Sequence, residues 1–391
     1  MSNTVSLKHD VPYWRLSGFY WVYFASLGVI VPYWSLYLQS LDFDAKSISE
    51  LMAILMATKI VAPYLWSWIA DHTGHCMKII RLGSVISSIT FIGVFIDSSF
   101  WWLVLVMLLF SFFWNATLPQ FEANTMNHLG ADTHRYSVVR LWGSLGFVVA
   151  VILIGSFLDD FGYQLVPISV FILYVLISIF SFLVKDAAHK TQQTGSGAIF
   201  EVIKQPHVMA LLLICFLAQM SHGPYYTFYS IYLKQFDYSS TTLGWLWALG
   251  VIAEIILFMF MHRLMPRFGP SLLMSVALLL TSIRWLLIGY FVDDLALVIV
   301  AQCLHAASFG LYHAVAIELF HRNFKGRLQG RGQALYSAIS FGAGGAVGTL
   351  ITGAYWDVYS AELIFACASA AAFIAFLVSL RFNLTLEGHS R

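Results

Sequence analysis

Residues 33–43 read YWSLYLQSLDF, and residues 228–238, 195 positions further on, read FYSIYLKQFDY. Ser35/Ser230, Tyr37/Tyr232, Leu38/Leu233 and Asp42/Asp237 are identical, and the places around them keep their aromatic or aliphatic character. A phrase repeated half a chain apart points to an internal duplication. The 391 residues around the two copies are 59% hydrophobic and 16% aromatic, with only 10% charged. Soluble domains carry about 25% charge, so this chain cannot cover a water-facing surface. Long apolar runs separated by short polar breaks read as a multi-span helical membrane protein. The alternating ten-residue segments of a membrane barrel are missing.

Runs of at least 17 residues predict an all-α membrane protein of twelve spans, near 13–39, 46–70, 78–96, 100–126, 136–158, 163–184, 208–234, 241–262, 269–291, 295–320, 331–355 and 359–381. Sixteen of the 21 Lys and Arg residues fall in the termini and in alternate loops, against Lys46 and Lys234 in the opposite loops. The positive-inside rule then places both termini in the cytoplasm. The polar stretch KDAAHKTQQTGSGAIFEVIKQP (185–206) divides the spans six and six and reads as a cytoplasmic linker between bundles 1–184 and 207–391. The repeated phrase becomes the periplasmic end of spans 1 and 7. RLW (140–142) and ALY (334–336) repeat at an offset of 194, and parallel half-repeats of this kind belong to twelve-helix secondary transporters.

Several functions are excluded. A net charge of +1 gives no basic surface for nucleic acid, and four scattered cysteines imply neither a disulfide framework nor a metal site. The first apolar run is too long for a cleavable signal and lacks a small-residue cleavage site. No phosphate-binding loop occurs, so uphill transport would be driven by an ion gradient, without a cofactor. The run GAGGAVGTLITG (342–353) follows no strand and reads as close helix packing. No nucleophile–base arrangement favours an enzyme.

Across its whole length the chain resembles the major facilitator superfamily. WIADHTGHCMK (68–78) is similar to the superfamily's Asp-x-x-Gly-Arg/Lys gating loop, with Asp71 and Gly74 in place and His75 where a base is usual. RLWGSLGF (140–147), with Glu122 eighteen residues earlier, GVIAEI (250–255) and LHAASFGLYHAVAIELF (304–320) resemble the phenylpropionate-permease group, relatives of lactose permease. The resemblance implies the two-bundle fold and a proton symporter in a bacterial inner membrane that works as a monomer. An aromatic carboxylate such as 3-phenylpropionate is the first expected solute and an oligosaccharide the second. A solute sensor or a lipid-handling protein remains as a different class, although short tails leave little room for an output domain.

Ionisable groups inside a membrane are functional hypotheses by default. Lys59, Glu122, Arg140, Glu254 and Arg284 lie within the expected spans, whereas Glu318 sits near an end and reaches water. Glu122 and Arg140 each lie about 6 Å inside the cytoplasmic edge of adjoining spans. They form either a helix-locking pair or, as the resemblance implies, a substrate-binding one. Glu254, Arg284 and His305 belong to spans 8, 9 and 10, at depths of roughly 20, 10 and 15 Å. His305 stands between acid and base, as relay or as a substrate hydrogen-bond partner. Lys59 is too deep to snorkel. Three deep cations against two deep anions leave one cation without a partner, and a substrate carboxylate would supply it. Of the aromatic residues near the cavity, Trp142 is the one assigned to the solute. The resemblance supplies His305 but puts Ser308 and Gln302 where lactose permease has a carboxylate and a Lys. Glu254 is therefore the expected proton carrier, paired with Arg284.

Overall fold

The computed structural model describes residues 11–130, 132, 135–187 and 199–387, without the side chains of Asp71, Arg327 and residues 382–387. The described residues are helical, with no strand. The spans are α1 (Tyr13–Ser40), α2 (Ala45–Thr73), α3 (Cys76–Phe91, extended by a 3₁₀ turn to Phe95), α4 (Phe100–Leu129), α5 (Tyr136–Phe161) and α6 (Leu165–Leu183). Of the expected 185–206 linker, residues 188–198 lie outside the described ones, and Ile199–Ile203 forms one short helix. Then come α7 (Pro206–Gln235), a 51-residue helical run Ser240–Tyr290, α10 (Leu295–Asn323), α11 (Gln329–Trp356) and α12 (Ala361–Glu387).

A straight helix of 51 residues would be about 76 Å long, more than twice a hydrocarbon core of about 30 Å. The run is in fact broken. Gly269 has φ 73° and ψ 157°, with Pro266 and Pro270 on either side, so 240–268 (α8) and 270–290 (α9) are separate crossings. Eleven apolar helical runs thus make twelve crossings among the described residues.

The duplicated phrase folds the same way twice. After α1, the amides of Leu41 and Asp42 donate to Leu38 and Gln39, and Phe43 returns to Leu38. After α7, Phe236, Asp237 and Tyr238 donate to Leu233, Lys234 and Leu233 in turn. Asp42 (φ 62°) and Asp237 (φ 60°) are the non-glycine residues with positive φ among the described residues, and Asp tolerates that region because its short side chain bonds locally. The next helices start alike, with Asp44 accepting from the Ser47 amide and Ser239 from the Thr242 amide.

Packing repeats too. In one set of six helices α1 lies on α5 and α3 on α6, and in the other α7 lies on α11 and α9 on α12. Serine pairs bridge equivalent contacts, Ser88–Ser178 at 2.9 Å and Ser282–Ser369 at 2.8 Å. The two sets meet where α5 faces α8 and α2 faces α11. We call the side where α1 begins the near face and the other the far face. On the far face the junction is crossed. Asp159, ending α5, accepts from the Ser240 amide (2.8 Å) and hydroxyl (2.5 Å) at the start of α8, and from Lys234 (2.9 Å). Asp357, following α11, accepts from the Ala45 amide at the start of α2 (3.2 Å). Ala45 and Ser240 are 195 positions apart, as the two copies of the phrase are. Each carboxylate sits at the positive end of a helix from the other set.

Candidate functional site

The deep charges fall into three groups. In the first, Glu122 of α4 and Arg140 of α5 face each other at 3.9 Å, too long for a hydrogen bond, with side chains 39% and 29% exposed. The Arg140 guanidinium lies 3.7 Å over the Phe24 ring and 5.6 Å from Tyr20, both on α1. A Cβ at Gly143 would meet Arg140 and Phe24 at 2.8 Å, so the glycine makes room for this stacking. The two charges are thus held in position without a hydrogen bond to each other, while Tyr136 of α5 hydrogen-bonds the Glu122 carboxylate.

Lys59 forms the second group. It lines a cavity of about 30 Å³ with walls that include Leu27, Ile30, Leu55, Met56, Trp114 and Tyr226. Four helices, α1, α2, α4 and α7, contribute. Trp114 is fixed by stacking on Tyr23 at 5.2 Å, and Tyr226 by stacking on His222 at 5.5 Å. No ion pair or hydrogen bond engages the Lys59 ammonium among the described residues. A cation with apolar walls and no counterion is costly unless something anionic or hydrated joins it. About 30 Å³ is room for one or two water-sized groups, the head of a carboxylate rather than a sugar ring.

The third group belongs to α7–α10. The His305 Nε2 is 3.8 Å from the Glu254 Oε2, and the two side chains are 9% and 14% exposed. Arg140 of α5 is near enough for its charge to act on the same carboxylate. Arg284 is fully buried and does not pair with Glu254, which corrects the partner expected from the sequence. Its Nε donates to the Ala301 carbonyl (2.9 Å), Nη1 to the Ser308 hydroxyl (2.8 Å) and Nη2 to the Gln302 Oε1 (3.4 Å). Tyr225 and Trp285 cover its faces at 4.1 and 4.7 Å. The physical reason is reach. α9 presents Arg284 to the first half of α10, whose carbonyl and neutral side chains fill its donor fork, while Glu254 projects toward His305 instead.

Two assignments fall elsewhere. The Trp142 indole donates to the Tyr13 hydroxyl (2.8 Å) and packs with Trp14 and Trp21, so it joins none of the three groups. The Asp71 side chain lies outside the described residues. Gly74 closes α2 with φ 68°, its amide donating to the Ala70 carbonyl at 2.8 Å. Sequence reasoning passed over Trp114 and the glycines Gly250 and Gly310. A Cβ on Gly310 would meet the Glu254 Cγ at 2.8 Å, and one on Gly250 the His305 Cβ at 3.2 Å. The spacing of Gly250 and Glu254, one helical turn apart on α8, was the available signal.

Comparison with known proteins agrees with this architecture. The chain is 27% identical to a probable 3-phenylpropionic acid transporter of Escherichia coli over 346 residues, covering 87% of this chain and 90% of that one. It is 24% identical to a maltose permease of Geobacillus stearothermophilus, covering 93% of each. Among solved structures, a nucleoside transporter superposes with a TM-score of 0.83 at 15% identity, covering 95% of this chain and 98% of that one. An autoinhibited POT-family peptide transporter superposes with a TM-score of 0.74 at 14% identity, covering 97% of each. Residues 13–367 match the MFS_1-like family. A repeated six-helix arrangement and this family match together identify the chain as a multi-pass membrane transporter of the MFS_1-like family, within the major facilitator superfamily.

Proposed function

We propose that the protein is a proton-coupled symporter of a small aromatic carboxylate, with 3-phenylpropionate as the first candidate. The observation that carries this reading is Lys59, which lines a small, mostly apolar cavity and has no counterion among the described residues. A carboxylate head would supply the missing charge, and the aromatic body would extend toward Tyr226 and the junction between the two sets of helices. The name of the relative in Escherichia coli supports the same solute class. Glu254, beside His305 and across from Arg140, carries the proton in this reading, and Arg284 serves as a fixed neighbour of the coupling site.

The far face is then periplasmic, both termini are cytoplasmic, and the two six-helix bundles of a monomer in a bacterial inner membrane rock about the central groups. Asp71 and Gly74 gate the near face. A sugar is the second reading, favoured by the partly exposed Glu122–Arg140 pair, whose remaining donors and acceptors suit hydroxyl groups, and by the maltose-permease relative.

Uptake into proteoliposomes tests the choice. The purified protein is offered labelled 3-phenylpropionate, benzoate and maltose, with an acid-outside pH gradient and without one. Gradient-dependent accumulation of the aromatic acids and not of maltose is the expected result. Accumulation of maltose alone would overturn the solute class, and accumulation indifferent to the gradient would overturn the coupling.

A further inference from the structure

The contact between Glu254 and His305 depends on an irregularity in α10. Residues Ala306–Leu311, immediately after His305, form a π-helical turn, and such turns recur at functional sites. In a regular α-helix of 3.6 residues per turn, residue i+5 points well away from residue i. In a π turn, closed by i→i+5 bonds, the two come onto one face. His305 and Gly310 are five apart, and both face α8. There they meet two residues four apart, Gly250 and Glu254, which share a face of the α-helix. The result is two reciprocal seats. His305 packs on Gly250, where a Cβ would approach its ring and Cβ at 3.2–3.3 Å, and Glu254 packs on Gly310, where a Cβ would come within 2.8 Å of the Glu254 Cγ.

We infer that Gly310, brought into register by the π turn, is a positioning residue that holds the Glu254 carboxylate against His305, with Gly250 performing the same service for His305. The inference rests on the reading of Glu254 as the proton carrier. The atom opposed to Gly310 is the middle of the Glu254 side chain, so any added carbon displaces the carboxylate itself. His305 of α10 faces the carboxylate, and Arg140 of α5 and Tyr226 of α7 are near enough to interact with its charge. Moving the acid by an ångström or so changes its distance to all three, and with it the pH at which it exchanges its proton.

The test uses the full-length protein in liposomes. An apolar carbodiimide, which modifies protonated carboxyl groups, is applied across a pH series, and modification of Glu254 is read by peptide mass spectrometry apart from that of Glu122. In Gly310→Ala the midpoint of Glu254 modification moves by about one pH unit, while solute exchange stays within about twofold. Gly250→Ala, where the opposing atoms need give only slightly, shows a smaller shift and serves if Gly310→Ala does not insert. Gly289→Ala is the control, because its Cβ would meet Phe365 at 2.7 Å in a contact between α9 and α12. It is expected to lower thermal stability and leave the midpoint unchanged.

An unchanged midpoint in both test variants, or an equal shift in Gly289→Ala, would overturn the inference. Failure of the coupling reading shows separately, as pH-driven accumulation that survives Glu254→Gln. The modification profile still tests the positioning role in that case.

Discussion

The set α1–α6 and the set α7–α12 repeat one arrangement, down to the turns at Asp42 and Asp237, yet they handle charge in opposite ways. In the first set α4 and α5 run unbroken for 30 and 26 residues, α3 alone ends in a 3₁₀ turn among the described residues, and the Glu122–Arg140 pair stands partly open. In the second set α7 is interrupted at Ser221 and His222, and both α10 and α11 contain π turns. Its buried polar groups are sealed by neighbours, with Arg284, His222 and Gln302 fully enclosed. Duplicated scaffolds diverge where function requires it. Here the first set leaves a charged pair partly exposed, and the second encloses the pair Glu254–His305.

The largest expected effect concerns that enclosed pair. Glu254→Gln keeps the size of the side chain and removes its proton, so pH-driven accumulation is lost while exchange of solute across the membrane continues. If Glu254→Gln still concentrates solute and His305→Asn does not, the carrier is His305.

The two arginines separate the sets next. Arg284→Lys loses the planar fork that reaches the Ala301 carbonyl, Ser308 and Gln302 together. It leaves a buried cation poorly bonded, at a cost on the order of 3 kcal/mol seen as a lower Tm in detergent. Arg140→Lys keeps its Tm and loses solute affinity instead. Equal losses of Tm in the two variants would erase the contrast between the sets.

A smaller effect distinguishes the two crossed contacts on the far face. Asp159 accepts from three donors and Asp357 from one amide, so Asp159→Asn releases that face more than Asp357→Asn does. The readout is the labelling rate of a cysteine introduced beside the junction, in a background without native cysteines, with an impermeant thiol reagent. Faster labelling is expected for both variants, about five- to tenfold for Asp159→Asn and less for Asp357→Asn, since the loss of one bond is worth about 1 kcal/mol or slightly more. The reverse order would show that the single bond to Ala45 bears more of the closure.

What was legible in the sequence follows from the same physics. The spans were readable because apolar length is set by the bilayer, and the duplication because Asp42 and Asp237 occupy one demanding backbone conformation twice. Glu122 and Arg140 were readable as neighbours because they lie at adjoining ends of consecutive helices. The partners of Arg284 were not readable. A guanidinium satisfied by a backbone carbonyl and two neutral side chains leaves no complementary charge to search for. The register of His305 with Gly310 was hidden as well, since helical periodicity assumes 3.6 residues per turn and the π turn departs from it. The direction of Trp142 depended on Tyr13 and Trp14 at the start of a distant helix.

The central claim is that Lys59 takes the carboxylate of the solute, and binding to Lys59→Gln tests it most directly. Isothermal titration of the wild type and of Lys59→Gln with 3-phenylpropionate and with its neutral amide compares charge at constant shape. The account predicts a loss of about 10- to 100-fold in affinity for the acid, equivalent to roughly 1.4–2.7 kcal/mol, with the affinity for the amide unchanged. Equal affinities of the two proteins for the acid would contradict it.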